Sequence, residues 1–140
     1  MFIRKHYRLK QLINFPTICV DGFYQEPDKV REWALSLPLE KQGGNYPGLR
    51  TPPLHIVDKQ FFDHFRKRLF SLYYHIPLEE DEIEISTMFQ VTNQMDPNPL
   101  SPKNKGWVHK DGTHVLAGVI YLTPEAKYDT GTSFYKMSTH

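Results

Sequence analysis

The sequence has a single cysteine, Cys19, among its 140 residues. An internal disulfide is therefore excluded, and a lone thiol favours a reducing compartment. Excess charge of one sign is missing too, because 17 basic residues face 16 acidic ones and the formal net charge is +1. Bulk electrostatics then give the chain no attraction to nucleic acid. We expect no nucleic-acid partner.

Long apolar runs are also missing. The charged start Met1-Phe2-Ile3-Arg4-Lys5 is not followed by the apolar stretch that a signal peptide or a membrane span requires. We therefore expect a soluble, cytoplasmic protein without a membrane partner. Aromatic residues, by contrast, are abundant, with nine Phe, eight Tyr and two Trp. The length suits one packed core, so we expect residues 1–140 to form a single domain.

Two segments have the apolar spacing of amphipathic helices. The first follows Pro27, ends before Pro38, and repeats apolar residues at i, i+3, i+4 and i+7: Val30, Trp33, Ala34 and Leu37. The second starts after Asp58, a good N-cap residue, and carries Phe61, Phe62, Phe65, Leu69 and Leu72. Between them, the Gly- and Pro-rich stretch 43–48 is predicted to be a loop.

Strand patterns dominate the second half of the chain. Residues 83–91 alternate between apolar and polar, which predicts a half-buried strand, and residues 115–122 are apolar on both faces, which predicts a central strand. Shorter strands are predicted at 15–20, 107–111 and 132–137. Helices first and strands afterwards favour an α+β fold with an antiparallel or barrel-like sheet.

The motif His109-Lys110-Asp111 carries the strongest chemical signal. Alternate residues of a strand share a face, so the imidazole and the carboxylate can converge on one metal ion. Nitrogen and oxygen ligands without thiolate suit iron(II). The alternative is a surface loop in which Asp111-Gly112 makes a turn.

The order of motifs resembles the iron(II)/2-oxoglutarate-dependent oxygenase superfamily. In that superfamily a His-x-Asp pair is followed by an apolar strand and then by a Gly-rich turn into the next strand. Here these elements are His109-Lys110-Asp111, Val119-Ile120-Tyr121-Leu122 and Gly131-Thr132-Ser133-Phe134-Tyr135. The N-terminal half resembles a small bacterial and phage-type subset through Val20-Asp21-Gly22-Phe23 and Tyr46-Pro47-Gly48-Leu49-Arg50.

The resemblance implies a double-stranded β-helix (jelly roll), with Fe(II) as cofactor and 2-oxoglutarate as co-substrate. It implies His109 and Asp111 as metal ligands, and Tyr121 as the donor of a hydrogen bond to the distal carboxylate of 2-oxoglutarate. Arg50, in a loop, is a candidate for binding an anionic group of a small-molecule or peptide substrate. For Tyr121 a core aromatic with a satisfied hydroxyl is the competing interpretation, and for Arg50 it is an exposed turn.

The superfamily's distal His ligand and its 2-oxoglutarate-binding Arg have no matching segment. His140 follows the last predicted strand too closely, and His114 does not fit the pattern. We therefore expect the 140 residues to be the N-terminal portion of an oxygenase domain, with an incomplete jelly roll and no turnover by itself. Two alternatives stay open: a non-catalytic binding or structural module derived from this fold, and a hydrolytic zinc site of His109, Asp111 and His114.

Overall fold

The computed structural model describes residues 2–5, 18–41, 43, 46–72, 83–92, 96, 98, 101, 116–126 and 131–132. In these ranges the chain forms three helices and five short strands. Their order is β1 (Phe2–Lys5), α1 (Pro27–Ser36), β2 (Leu49–Arg50), α2 (Leu54–Val57), α3 (Lys59–Ser71), β3 (Ile83–Ser86), β4 (Gln90–Val91) and β5 (Leu116–Ala117).

The strands form two small antiparallel sheets. In the first sheet the order is β3-β1-β5, with Ile3 opposite Ile85 on one side and opposite Leu116 on the other. In the second sheet β2 pairs with β4, so that Arg50 lies opposite Gln90. Helices together with antiparallel sheets confirm the predicted α+β class at this level.

Both predicted helices are confirmed. Helix α1 has Pro27 in its first turn, where the missing N–H is not needed for a helical hydrogen bond. Helix α3 is capped by Asp58, whose Oδ1 accepts a hydrogen bond of 2.9 Å from the backbone N–H of Phe61. Of the helices in the described ranges, none has the length and apolar character needed to cross a membrane.

The core lies between α3 and β3. Phe65 and Leu69 of α3 are buried against Ile83 and Ile85, the inward residues of β3, while Glu84 between them is exposed. Partly buried side chains complete this core: Phe23, Tyr24, Phe62, Phe70, Leu116 and Ile120. The burial of alternate residues on β3 confirms the period-two pattern over its length.

An aromatic cluster joins α1 to α3 beside this core. The ring of Trp33 lies 4.6 Å from Phe61 and 5.5 Å from Phe89, measured between centroids. Such distances are typical of stabilising aromatic pairs. The cluster thus gives several of the aromatic residues of the first 90 positions a packing role.

The strand predicted over residues 83–91 is interrupted. Between β3 and β4 the backbone pairs with residues 51–54: the N–H of Thr51 donates to the carbonyl of Phe89, and the N–H of Leu54 donates to that of Thr87. Pro52 and Pro53 lie between these two donors and have no N–H, so a continuous ladder is not possible there.

Other strand predictions were wrong in the described residues. Strand β1 precedes α1, so the chain does not place its helices first. Residues 18–20 are not in a strand. Of residues 116–122, only Leu116–Ala117 form a strand; among the described strands it lies at the end of the order β3-β1-β5, and Val119 is 62% exposed. The predicted strand at 107–111 lies outside the described residues, and of the strand predicted at 132–137 only Thr132 is described, where it is not in a strand.

Candidate functional site

The predicted metal ligands His109 and Asp111 lie outside the described residues, as do His114 and His140. Within the described ranges no group of three or more His, Cys, Asp or Glu side chains is arranged to hold a metal ion. Cys19, the one thiol, is exposed. The metal site therefore stays a prediction from sequence, and it concerns residues other than those that the structure describes.

Tyr121 lies just after β5 with its side chain 58% exposed. Its hydroxyl is 2.5 Å from the hydroxyl of Thr132, and either oxygen can donate. The intervening Gly131 has a φ of +147°, which few residues other than glycine adopt, and a Cβ there would be 3.8 Å from the Tyr121 hydroxyl. The Gly-Thr turn and Tyr121 are thus adjacent. Tyr121 is not the buried core aromatic of the competing interpretation.

Arg50 lies on β2 and is half-buried. Its Nε donates a hydrogen bond of 2.8 Å to Oε1 of Gln90, and its Cζ lies 3.5 Å from the ring centroid of Tyr46. Partial burial lowers the pKa of the Arg50 guanidinium, and the charge interaction with Tyr46 opposes this shift. Arg50 is therefore held in a defined orientation, unlike the freely exposed Arg of the competing interpretation.

A tight turn brings Tyr46 and Arg50 together. Gly48 in this turn has a φ of +80°, and a Cβ at this position would be 1.8 Å from the carbonyl oxygen of Val91. Only glycine lets β2 approach β4 this closely. The backbone of Arg50 also exchanges two hydrogen bonds of 2.9 Å with the backbone of Glu40.

Arg50 and Tyr121 belong to different parts of the fold. Arg50 is on the β2–β4 sheet, whereas Tyr121 follows β5 of the three-stranded sheet. The contacts of Arg50 are made with Tyr46 and Gln90, and the hydroxyl contact of Tyr121 is made with Thr132. The described residues thus contain two separate candidate sites.

Sequence reasoning missed the partners of Arg50. Its hydrogen-bond partner Gln90 is 40 residues away along the chain. Lys41 precedes the predicted loop at 43–48, and its Nζ lies 4.4 Å from the centroid of the Tyr46 ring, which Arg50 also contacts. One signal was present: Gln90 occupies a polar position of the alternating strand. Strand pairing between residues distant in sequence cannot be read from one chain.

A family model matches residues 5–140, and it describes a family of unknown function (DUF6445). The chain belongs to this family. No curated protein matches the chain, and no solved structure matches it. Membership in DUF6445 covers nearly the whole sequence and assigns no activity, so the oxygenase interpretation rests on the motifs and on the geometry around Tyr121.

Proposed function

We propose that this member of DUF6445 is an iron(II)- and 2-oxoglutarate-dependent dioxygenase domain of the hydroxylase type, with a double-stranded β-helix around the metal. The support from sequence is the order of His109-Lys110-Asp111, the apolar segment ending in Tyr121-Leu122, and the Gly131-Thr132 turn. These three elements occur in the same order in the superfamily that the chain resembles.

The observation that carries the proposal is the 2.5 Å contact between the hydroxyls of Tyr121 and Thr132. These residues belong to two different motifs of the resemblance, and the contact makes the motifs neighbours in space. Both hydroxyls are in exposed positions, where they are accessible to a small polar molecule. A hydroxyl pair of this kind can donate to a carboxylate.

The donor set suits the metal that the resemblance implies. One imidazole and one carboxylate at alternate positions supply nitrogen and oxygen ligands without thiolate, as iron(II) sites of this class require. His109 and Asp111 would hold the ion, and iron(II) when bound supplies the activation of dioxygen. The role of Tyr121 is to donate its hydroxyl proton in a hydrogen bond to the distal carboxylate of 2-oxoglutarate.

The test is iron-dependent decarboxylation of 2-oxoglutarate by the natural gene product. We expect His109→Ala to abolish succinate formation. We expect Tyr121→Phe to raise the KM for 2-oxoglutarate about tenfold, because one hydrogen bond to a charged group is lost. His64→Ala, an exposed change on α3, is the matched control and should leave both constants unchanged.

The 140-residue chain provides a second arm of the test. We expect it to form no succinate by itself, since the sequence offers no match to the distal ligands. Absence of iron-dependent turnover by the natural gene product would refute the proposal. Turnover that His109→Ala leaves intact would refute the metal assignment.

A further inference from the structure

Two basic side chains meet the same aromatic ring on the surface beside β2. The Nζ of Lys41 lies 4.4 Å from the ring centroid of Tyr46, and the Cζ of Arg50 lies 3.5 Å from it. Lys41 is also fixed by a hydrogen bond of 2.6 Å from its Nζ to the Tyr46 carbonyl oxygen. We call Lys41, Tyr46 and Arg50 the Tyr46 cluster.

The guanidinium of Arg50 is held from one side. Its Nε donates to Oε1 of Gln90, and the Gln90 amide is itself oriented, because Nε2 donates to the Pro47 carbonyl at 2.8 Å and to the Thr92 hydroxyl at 3.3 Å. The hydrogen bond to Gln90 therefore occupies the Nε edge of the guanidinium. The edge formed by the two terminal nitrogens keeps the fork geometry that binds an oxyanion through two parallel hydrogen bonds.

No acidic side chain in the described part of the chain neutralises this cluster. The ion pairs there join Lys29 to Glu26 and Lys59 to Asp63. Glu40 is bonded to Arg50 through the backbone, and its carboxylate forms no ion pair with Arg50. Two cations near one ring repel each other, and an anion between or beside them would relieve that repulsion.

The partial burial of Arg50 also favours the binding of an anion. It lowers the pKa of Arg50, because solvent stabilises the charge less than it would in an exposed side chain. A partly desolvated, oriented guanidinium gains more from an oxyanion than a freely moving surface Arg does. The Tyr46 ring, 3.5 Å from Cζ, also restricts the motion of the guanidinium, which lowers the entropy cost of binding.

We propose that the Tyr46 cluster binds an oxyanion, a carboxylate or a phosphate, with Arg50 as the two-pronged donor and Lys41 as the second cation. The ligand class is a small molecule or peptide that carries such a group. This proposal does not depend on the iron chemistry. The site consists of β2, the turn before it and Gln90 of β4.

The test follows two signals in ¹H–¹⁵N spectra of the metal-free chain: the Nε–H of Arg50, and the side-chain amide of Gln90, which is still present in variants of Arg50. Sodium phosphate and sodium acetate are titrated separately at constant ionic strength, with sodium chloride as the reference. We expect a saturable shift with at least one of the two oxyanions. Saturation with phosphate alone identifies phosphate, and saturation with acetate identifies a carboxylate.

Variants separate specific binding from general charge. Arg50→Gln should weaken binding about tenfold or more, and Arg50→Lys should do the same, because it keeps the charge and loses the fork. Arg68→Gln removes one positive charge from an exposed Arg on α3 and should leave the affinity unchanged. Tyr46→Leu should weaken binding without changing the net charge, and circular dichroism checks that each variant is folded.

The proposal is overturned if neither oxyanion shifts the Arg50 signal beyond the chloride reference. It is also overturned if Arg68→Gln weakens binding as much as Arg50→Gln does. Because iron and 2-oxoglutarate are absent from this experiment, its outcome is separate from that of the succinate assay.

Discussion

The helical region and the segment after β5 are built differently. Helix α3 buries Phe65 to 2% exposure and Leu69 to 4% against β3, and it is capped by Asp58. Within residues 116–126 only Leu116–Ala117 form a strand. Beyond that strand, Val119 is 62% exposed and Tyr121 is 58% exposed. The first region is stabilised by packing, whereas in the second the partly buried Leu116 and Ile120 alternate with exposed residues. The proposed co-substrate contact thus lies in the less buried of the two regions.

The largest expected effect is on the free energy of unfolding, which should fall for a change in the helical region and hardly change for one in the segment after β5. Phe65→Ala removes a fully packed ring from the core and should lower the free energy of unfolding by about 3–5 kcal/mol. Val119→Ala, in the exposed segment, should change it by no more than about 0.5 kcal/mol. Urea unfolding followed by fluorescence measures both values, and similar losses would contradict the contrast between the regions.

A second pair of variants tests the turn that precedes Arg50. Gly48→Ala and Gly22→Ala both force a positive φ, +80° and +62°, on a side chain, which costs about 1–2 kcal/mol. At Gly48 the new Cβ also meets the Val91 carbonyl, whereas at Gly22 nothing lies within 4 Å. Gly48→Ala should therefore lose about 1–3 kcal/mol more than Gly22→Ala. Equal thermal unfolding midpoints would mean that β2 and β4 are not in close contact.

A smaller effect is expected at the start of α3. Asp58→Ala removes the cap bond to Phe61 and should cost about 1 kcal/mol of unfolding free energy. Asp28→Ala, in the first turn of α1, which has no side-chain cap bond, should cost at most about 0.5 kcal/mol through the helix dipole. Chemical unfolding of the two variants compares them, and a larger loss from Asp28→Ala would contradict the capping role of Asp58.

The smallest effect concerns pH. The hydrogen bond from Lys59, the largest cause, and the charges of Lys59, Arg66 and Lys67 hold the pKa of Asp63 below its usual 3.8. At pH values between the lowered pKa and about 4, the folded state therefore binds fewer protons than the unfolded state. The stabilisation is present above about pH 4 and is lost as pH falls through the lowered pKa.

Asp63→Asn should accordingly lower the thermal midpoint slightly at pH 7, and the difference should shrink as pH falls through the lowered pKa. The control is the same change in a Lys59→Met background, where the difference at pH 7 should shrink because the principal partner of Asp63 is absent. A difference at pH 2 as large as that at pH 7 would show that the pair has no such role.

The site was predictable in its parts but not in its arrangement. Arg50 and Tyr121 were selected from the sequence, and the structure describes both, whereas His109 and Asp111 lie outside the described residues. The partners Gln90 and Thr132 were not predicted as contacts. Their pairing depends on strand register and on the turn at Gly131, and no local pattern encodes these.

The sequence by itself determined helices α1 and α3, because apolar residues with helical spacing, Pro27 and the Asp58 cap are local signals. It also determined which residues of β3 face the core, because alternation along a strand is local. Only the tertiary structure decided that β1 lies between β3 and β5, and that within the described residues 116–122 the strand is limited to Leu116–Ala117. Those outcomes depend on hydrogen bonds between segments far apart in sequence, which an apolar run cannot specify.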